Sequence, residues 1–234
     1  MSPPTDRRNG PGLTGLTAVI PTLNAASTLP ATLAALEEIR VVVVDGGSTD
    51  ETAAVARAGG AAVVAAPPGR GIQLAAGAAA SASGWLLFLH GDTVLGQGWR
   101  EAADTFISEA GSHERAATFA LRFDDRGVVP RLFEMMVAFR VRVFGLPYGD
   151  QGLLVHSELL ESVGGYRGLP LMEDVDLVRR IGRRRLRVLD AKATTSASRY
   201  RKDGYWRRAF RNLTCLAMYF AGAAPERIAR YYGR

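Results

Sequence analysis

The run Val41-Val42-Val43-Val44-Asp45-Gly46-Gly47-Ser48-Thr49-Asp50-Glu51-Thr52 constrains this chain more than any other segment. Four consecutive β-branched residues make a buried strand. An aspartate follows at the strand's end, two glycines permit a tight turn, and an Asp-Glu pair opens a helix. In an open α/β sheet, ligands bind just outside the carboxyl ends of the strands, where Asp45 falls. A carboxylate there accepts hydrogen bonds from a nucleobase or a sugar, while the glycines let the backbone come close. A turn cap, in which Asp45 bonds its own backbone, is the simpler alternative for the same residue.

The rest of the N-terminal half repeats the theme. Leu16 to Ile20 reads as a first strand ending at Pro21, with an Ala/Leu-rich helix from Ser27 or Thr28 to about Ile39. Asp50 to Ala58 reads as a second helix capped by Asp50, and Ala61 to Ala65 as a short third strand. Arg70 to Ala82 is helical, and Trp85 to Leu89 is an apolar fourth strand. Strands alternating with helices of this length predict a parallel, doubly wound sheet. From Thr118 the pattern changes. Strands are expected near Thr118 to Phe123, Gly152 to Val155 and Leu186 to Leu189, with helices at about Pro130 to Val143 and Val175 to Arg183. The expected organisation is a tail over 1–15 and one domain over 16–234, split into a nucleotide half (16–94) and an acceptor half (95–234).

Composition narrows the function classes. A chain of 234 residues, 47% hydrophobic, can bury one good core. The single cysteine, Cys215, rules out an internal disulfide and a cysteine-rich metal site. The polar N-terminus has no apolar core segment of a signal peptide, and the runs Met135 to Phe139 and Leu213 to Ala221 are too short to span a bilayer. A cytoplasmic protein is expected, with room for peripheral contact at the inner membrane face. The net charge of +6 gathers in Arg179 to Arg187 and Arg199 to Arg211, which suits diphosphate groups, anionic membranes or nucleic acid about equally.

Several short motifs carry chemistry. Gly10-Pro11-Gly12-Leu13-Thr14-Gly15 matches a dinucleotide fingerprint literally, but it precedes the first strand and contains a proline, so it is set aside. Gly69-Arg70-Gly71-Ile72-Gln73 enters a helix, where helix-start amides and Arg70 can meet phosphate or ribose oxygens. His90-Gly91-Asp92-Thr93 ends the fourth strand in polar residues. Tyr148-Gly149-Asp150-Gln151-Gly152 makes a loop able to present Asp and Gln inward. In Met172-Glu173-Asp174-Val175-Asp176, the helix dipole alone accounts for acids at a helix start, and Asp176 can pair with Arg180.

Taken with Pro21-Thr22-Leu23-Asn24, these motifs as a set resemble family 2 glycosyltransferases with the GT-A fold. The resemblance spans about Thr17 to Asn212, with compact bacterial members related to arsenosugar and carotenoid-acid glycosyltransferases as the nearest branch. It implies a mostly parallel α/β sheet flanked by helices. It also implies a nucleotide site of Pro21, Thr22, Asn24, Asp45, Ser48, Arg70, Gln73 and Gly91. Asp92 would hold Mg²⁺ or Mn²⁺, with His90 standing where the family carries the first aspartate of its D-x-D motif; an imidazole on the metal would favour Mn²⁺. Gly149, Asp150 and Gln151 would lie near the sugar and acceptor. Glu173 and Asp174 match the family's Glu-Asp motif, in which the aspartate takes the acceptor's proton. Arg199 would be a further phosphate contact. The Gln-x-x-Arg-Trp motif of processive members is absent, which weighs against polymer synthesis.

The function implied is transfer of a sugar from a nucleotide-sugar donor, a UDP-sugar, to an acceptor hydroxyl or carboxylate, with inversion. The acceptor would be a small molecule or lipid-like, and a homodimer is allowed; nucleic acid is not expected as a partner. Two alternatives stand. A nucleotidyltransferase of similar fold would carry a Gly-rich basic loop where this chain has Pro21-Thr22-Leu23-Asn24-Ala25-Ala26. A non-catalytic basic module would bind polyanions in a salt-sensitive way.

Overall fold

The computed structural model describes residue 13 and residues 15–81 and 84–233. Most of the expected tail and of the glycine motif at 10–15 therefore lies outside the described residues. The chain alternates β1 (Leu16–Thr22), α1 (Leu29–Ala34), β2 (Arg40–Asp45), α2 (Thr52–Ala58), β3 (Ala62–Ala65), α3 (Arg70–Ala79) and β4 (Trp85–Phe88). There follow β5 (Thr93–Leu95), α4 (Trp99–Ser108), β6 (Ala116–Phe123), α5 (Val128–Phe144), β7 (Leu153–His156), α6 (Ser157–Ser162), α7 (Glu173–Ile181) and β8 (Leu186–Thr195). Three helices close the chain: α8 (Ser198–Asp203), α9 (Tyr205–Phe220) and α10 (Pro225–Tyr232).

The strands form one eight-stranded sheet in the order β3-β2-β1-β4-β7-β6-β8-β5. Strands β1 to β4 pair in parallel, as do β6 and β8, while β7 and β5 run against their neighbours. The four valines show why the sheet needs two helix layers. Val41 and Val43 point into a core with α1, α2 and α4, whereas Val42 and Val44 join a second core with α3, α6, α7, α9 and α10. A strand covered on both faces must be apolar at every position. Truncating Leu87, fully buried in β4, to alanine would cost about 2–5 kcal/mol. Close approach of α3 depends on Gly77, whose Cβ would lie 2.3 Å from Val19 Cγ1.

The structure revises several expectations. The helix expected to reach Ile39 ends at Ala34, and the chain turns through Glu38 at φ 68°. The first turn of α7 begins at Glu173 rather than Val175, so the Glu-Asp pair is helical. Strand β8 runs on to Thr195, because Ala191, Ala193 and Thr195 are buried in alternation beyond the expected end at Leu189. Strand β5 and helix α4 are additional elements. The boundary expected at 94 falls inside β5, which pairs with β8, so the sheet is continuous across both halves.

Candidate functional site

The carboxyl ends of β1 and β2 are tied together by side chains that the sequence singled out. Asn24, held at φ 52°, accepts from the Thr49 N–H at 2.9 Å, and its own N–H donates to Ser48 Oγ at 2.9 Å. Asp45 accepts from the Ser48 N–H at 3.0 Å and from the Ser48 hydroxyl at 2.5 Å, and more weakly from the Gly47 N–H. The turn-capping role of Asp45 is thus present in the structure. Asp50 accepts from the N–H groups of Thr52 and Ala26, so it joins the start of α2 to the loop after β1. These bonds lower its pKa, the Thr52 hydroxyl contributing most. This hydrogen-bonded network fixes the loops at the strand ends. Pro21 and Thr22 are buried beneath it.

The protein has a cleft whose wall is built from four separate stretches. Arg70 starts α3, and His90 and Asp92 follow β4. Gly149 and Asp150 precede β7, and Asp174 lies in the first turn of α7. Thr195, Ser196, Arg199, Tyr200, Arg208, Asn212 and Tyr232 close the opposite side. Gly91, between His90 and Asp92, packs closely on the end of β1: a Cβ there would lie 3.3 Å from Thr22 Cγ2.

Charges in the cleft are balanced by design of the fold. Asp174 Oδ2 accepts from the Gly149 N–H at 2.8 Å. Arg70 Nε lies 2.7 Å from Glu173, and its Nη1 lies 3.4 Å from His90 Nε2. Burial works against the charge of Arg70, yet Glu173 and then Asp174 more than offset it and hold the guanidinium protonated. Burial raises the Asp92 carboxyl, with Arg199 opposing. Asp150 is pushed up to about 6, first by burial and, against Arg140, by Asp174 and Asp92. Burial also lifts the Tyr200 phenol to about 12, so it stays a neutral hydrogen-bonding group. Met172, on the cleft wall directly before the acidic pair, sits at φ 65°. A left-handed non-glycine residue costs about 1–3 kcal/mol, a strain concentrated at functional sites.

The donor set fits a hard divalent cation. Asp92 offers a carboxylate on the cleft wall, and Asp150 Oδ1 is buried without a hydrogen-bond partner. Oxygen ligands of this kind suit Mg²⁺ or Mn²⁺. His113, His156 and Glu158 also cluster, but at the opposite end of β4, where Trp85 pairs with His156. Their imidazoles stack in parallel at 4.0 Å.

Three of the expected site residues lie behind the cleft wall. Gln73 is buried, and its amide donates to the carbonyls of Thr22 and Val44 at 2.8 Å each, so it latches α3 to β1 and β2. Gln151 is buried and donates to the Phe119 carbonyl at 3.0 Å. Glu173 is 1% exposed and faces Arg70 behind the wall. None of the three lines the cleft. Conversely, Tyr148, Thr195, Ser196, Asn212 and Tyr232 line it without having been singled out as site residues. The Arg-aromatic stretch around Arg199 was the sequence signal for that side; Tyr232 arrives from the last helix and had none.

Comparison with known proteins agrees with this geometry. The sequence profile of glycosyl transferase family 2 matches residues 17–131. No curated protein sequence matches the chain. Residues 1–349 of S. aureus TarS superimpose with a TM-score of 0.60 at 19% identity, over 78% of this chain and 60% of that one. Glucosyl-3-phosphoglycerate synthase from Mycobacterium tuberculosis, solved with Mn²⁺ and UDP-glucose, gives 0.51 at 20% identity, over 77% and 69%. The chain spans about 60% of the TarS structures that it matches. The profile match and the shared architecture agree: residues 17–131 match glycosyl transferase family 2, within a chain that has the GT-A fold.

Proposed function

We propose that this protein transfers a sugar from a UDP-sugar to an acceptor hydroxyl, with inversion at the anomeric carbon. The observation that carries this reading is the meeting of Asp174, Asp92, Asp150, Arg70 and Arg199 in one cleft, together with the Asn24–Asp45–Ser48 network at the strand ends. The strand ends at Asn24, Asp45 and Ser48 would take the uracil and ribose, with Asp45 using the lone pairs its turn leaves over. Arg70 and Arg199 would face the diphosphate. Related structures support the donor class: TarS has been solved with UDP, and the mycobacterial synthase with Mg²⁺ and UDP.

Asp174 is the proposed base. Its Oδ2 is fixed by the Gly149 N–H, and its carboxylate lies on the cleft wall. As the acceptor oxygen bonds to the anomeric carbon and the bond to the diphosphate oxygen breaks, the hydroxyl proton passes to Asp174. A carboxylate acceptor would arrive already ionised and need no base, so an aspartate here favours a hydroxyl. Arg70 and Arg199 would stabilise the charge that develops on the leaving diphosphate. A Mg²⁺ or Mn²⁺ ion held by Asp92 would supply further neutralisation of that charge. Asp150 would orient the sugar.

Release of nucleoside diphosphate from a panel of UDP- and GDP-sugars, with and without Mn²⁺, tests the reading. Metal-stimulated release from one UDP-sugar supports it, and no release from any donor overturns it.

A further inference from the structure

Among the described residues, eleven of the fifteen large apolar side chains left exposed lie on α5 and α9. On α5 the outward face carries Val128, Leu132, Met135, Met136 and Phe139, the last 63% exposed, while only Pro130, Phe133 and Val141 are buried. On α9, Trp206, Phe210, Leu213 and Phe220 recur every three to seven residues along one stripe, each more than half exposed. Trp206 packs edge-on against Phe133 at 5.0 Å, so the two stripes adjoin. A helix packed only on its own domain turns such a stripe inward. A contiguous exposed apolar surface marks a contact with something else.

Charge identifies the occupant. Helix α9 holds three arginines and no acid. Helix α5 holds Arg131, Arg140 and Arg142 against one acid, Glu134, which already pairs with Arg122 and Arg131. Arg142 and Arg207 are exposed beside the apolar stripes. Pairing of two copies through this face would bring those arginines together with no acid on either helix free to offset them. We infer that the α5–α9 surface docks onto an anionic lipid bilayer, its apolar side chains entering the interface and its arginines meeting the headgroups. No described helix is long and apolar enough to cross a membrane, which is consistent with a surface contact.

The inner faces of the same helices reach the cleft. Arg208 and Asn212 of α9 line it, and Arg140 of α5 lies 3.5 Å over the ring of Tyr148. Docking would therefore set the cleft at the bilayer edge, within reach of an acceptor with a lipid anchor. That consequence rests on the transfer reading; the docking does not.

The test uses the full chain with vesicles of phosphatidylcholine alone and of phosphatidylcholine mixed with phosphatidylglycerol. Trp206 is the reporter, 61% exposed where Trp85 and Trp99 are buried. Sedimentation with the anionic vesicles, together with a blue shift and quenching by brominated lipid, is expected. The variant Met135→Ser/Phe139→Ser/Phe210→Ser should partition at least about tenfold less, and Arg142→Glu or Arg207→Glu about fivefold less each. All should keep wild-type nucleotide affinity, because none of these side chains lines the cleft, so loss of docking and loss of donor binding are separate readouts. Absence of binding by folded protein would overturn the proposal. So would equal partitioning of the triple variant, or a wild-type dimer that the triple variant renders monomeric without lipid binding.

Discussion

Gly149 donates its N–H to Asp174 Oδ2 at 2.8 Å, and a Cβ on Gly149 would come within 2.5 Å of His90 Nε2. One hydrogen bond and one close packing contact thus join the Gly-Asp-Gln loop, the Glu-Asp helix start and the polar end of β4. The proposed base is held by a backbone amide, so its orientation does not depend on a mobile side chain.

The first prediction follows from that bond. Asp174→Asn keeps an oxygen to accept from Gly149 but cannot take a proton. Turnover should fall by about 10²–10⁴-fold, with nucleotide affinity measured by titration unchanged. Wild-type turnover in the variant would remove Asp174 as the base.

A second concerns the helix that carries Arg70. A Cβ on Gly71 would lie 2.3 Å from the Arg167 carbonyl oxygen and 3.0 Å from the Leu169 N and O, all backbone atoms. Gly71→Ala should therefore destabilise the fold by about 1–3 kcal/mol, read as a lower urea midpoint. An unchanged midpoint would show that the 167–169 segment yields freely.

A third concerns pH. The Asp150 carboxyl titrates near 6 in the folded chain against an ordinary value of 3.8, chiefly through burial. Between those values the folded state binds more protons than the unfolded one, so the stability this group contributes is full below about pH 4 and is lost as pH rises through 6. Asp150→Asn should match wild type near pH 4 and exceed it above pH 7 by up to about 3 kcal/mol. Parallel stability curves for the two proteins would contradict the assignment.

Much of this architecture was legible in the chain itself. The valine run and the apolar strand at Trp85 gave the parallel half because strands buried on both faces have no polar positions to obscure them. Strand β5 was hidden by its length, three residues, and the far end of β8 by Asp190 and Lys192 on its outer face. Helix α4 had a readable signal in Trp99, Ala103 and Phe106, which are all buried. In the site, short motifs located Arg70, Asp92, Asp150 and Asp174 in the cleft. They could not distinguish these from Gln73, Gln151 and Glu173, because a sequence shows a polar group but not which partner answers it. Tyr232 was beyond reach for another reason: only the packing of α10 on α9 carries it back to the cleft.

The proposed transfer requires a nucleotide-sugar site with a divalent ion at Asp92. Calorimetric titration of UDP with and without Mn²⁺, on wild type and Asp92→Ala, tests it most directly. The account predicts Mn²⁺-dependent binding by wild type and loss of that dependence in the variant. Absence of UDP binding by folded wild-type protein, or unaltered metal-dependent binding in Asp92→Ala, would contradict it.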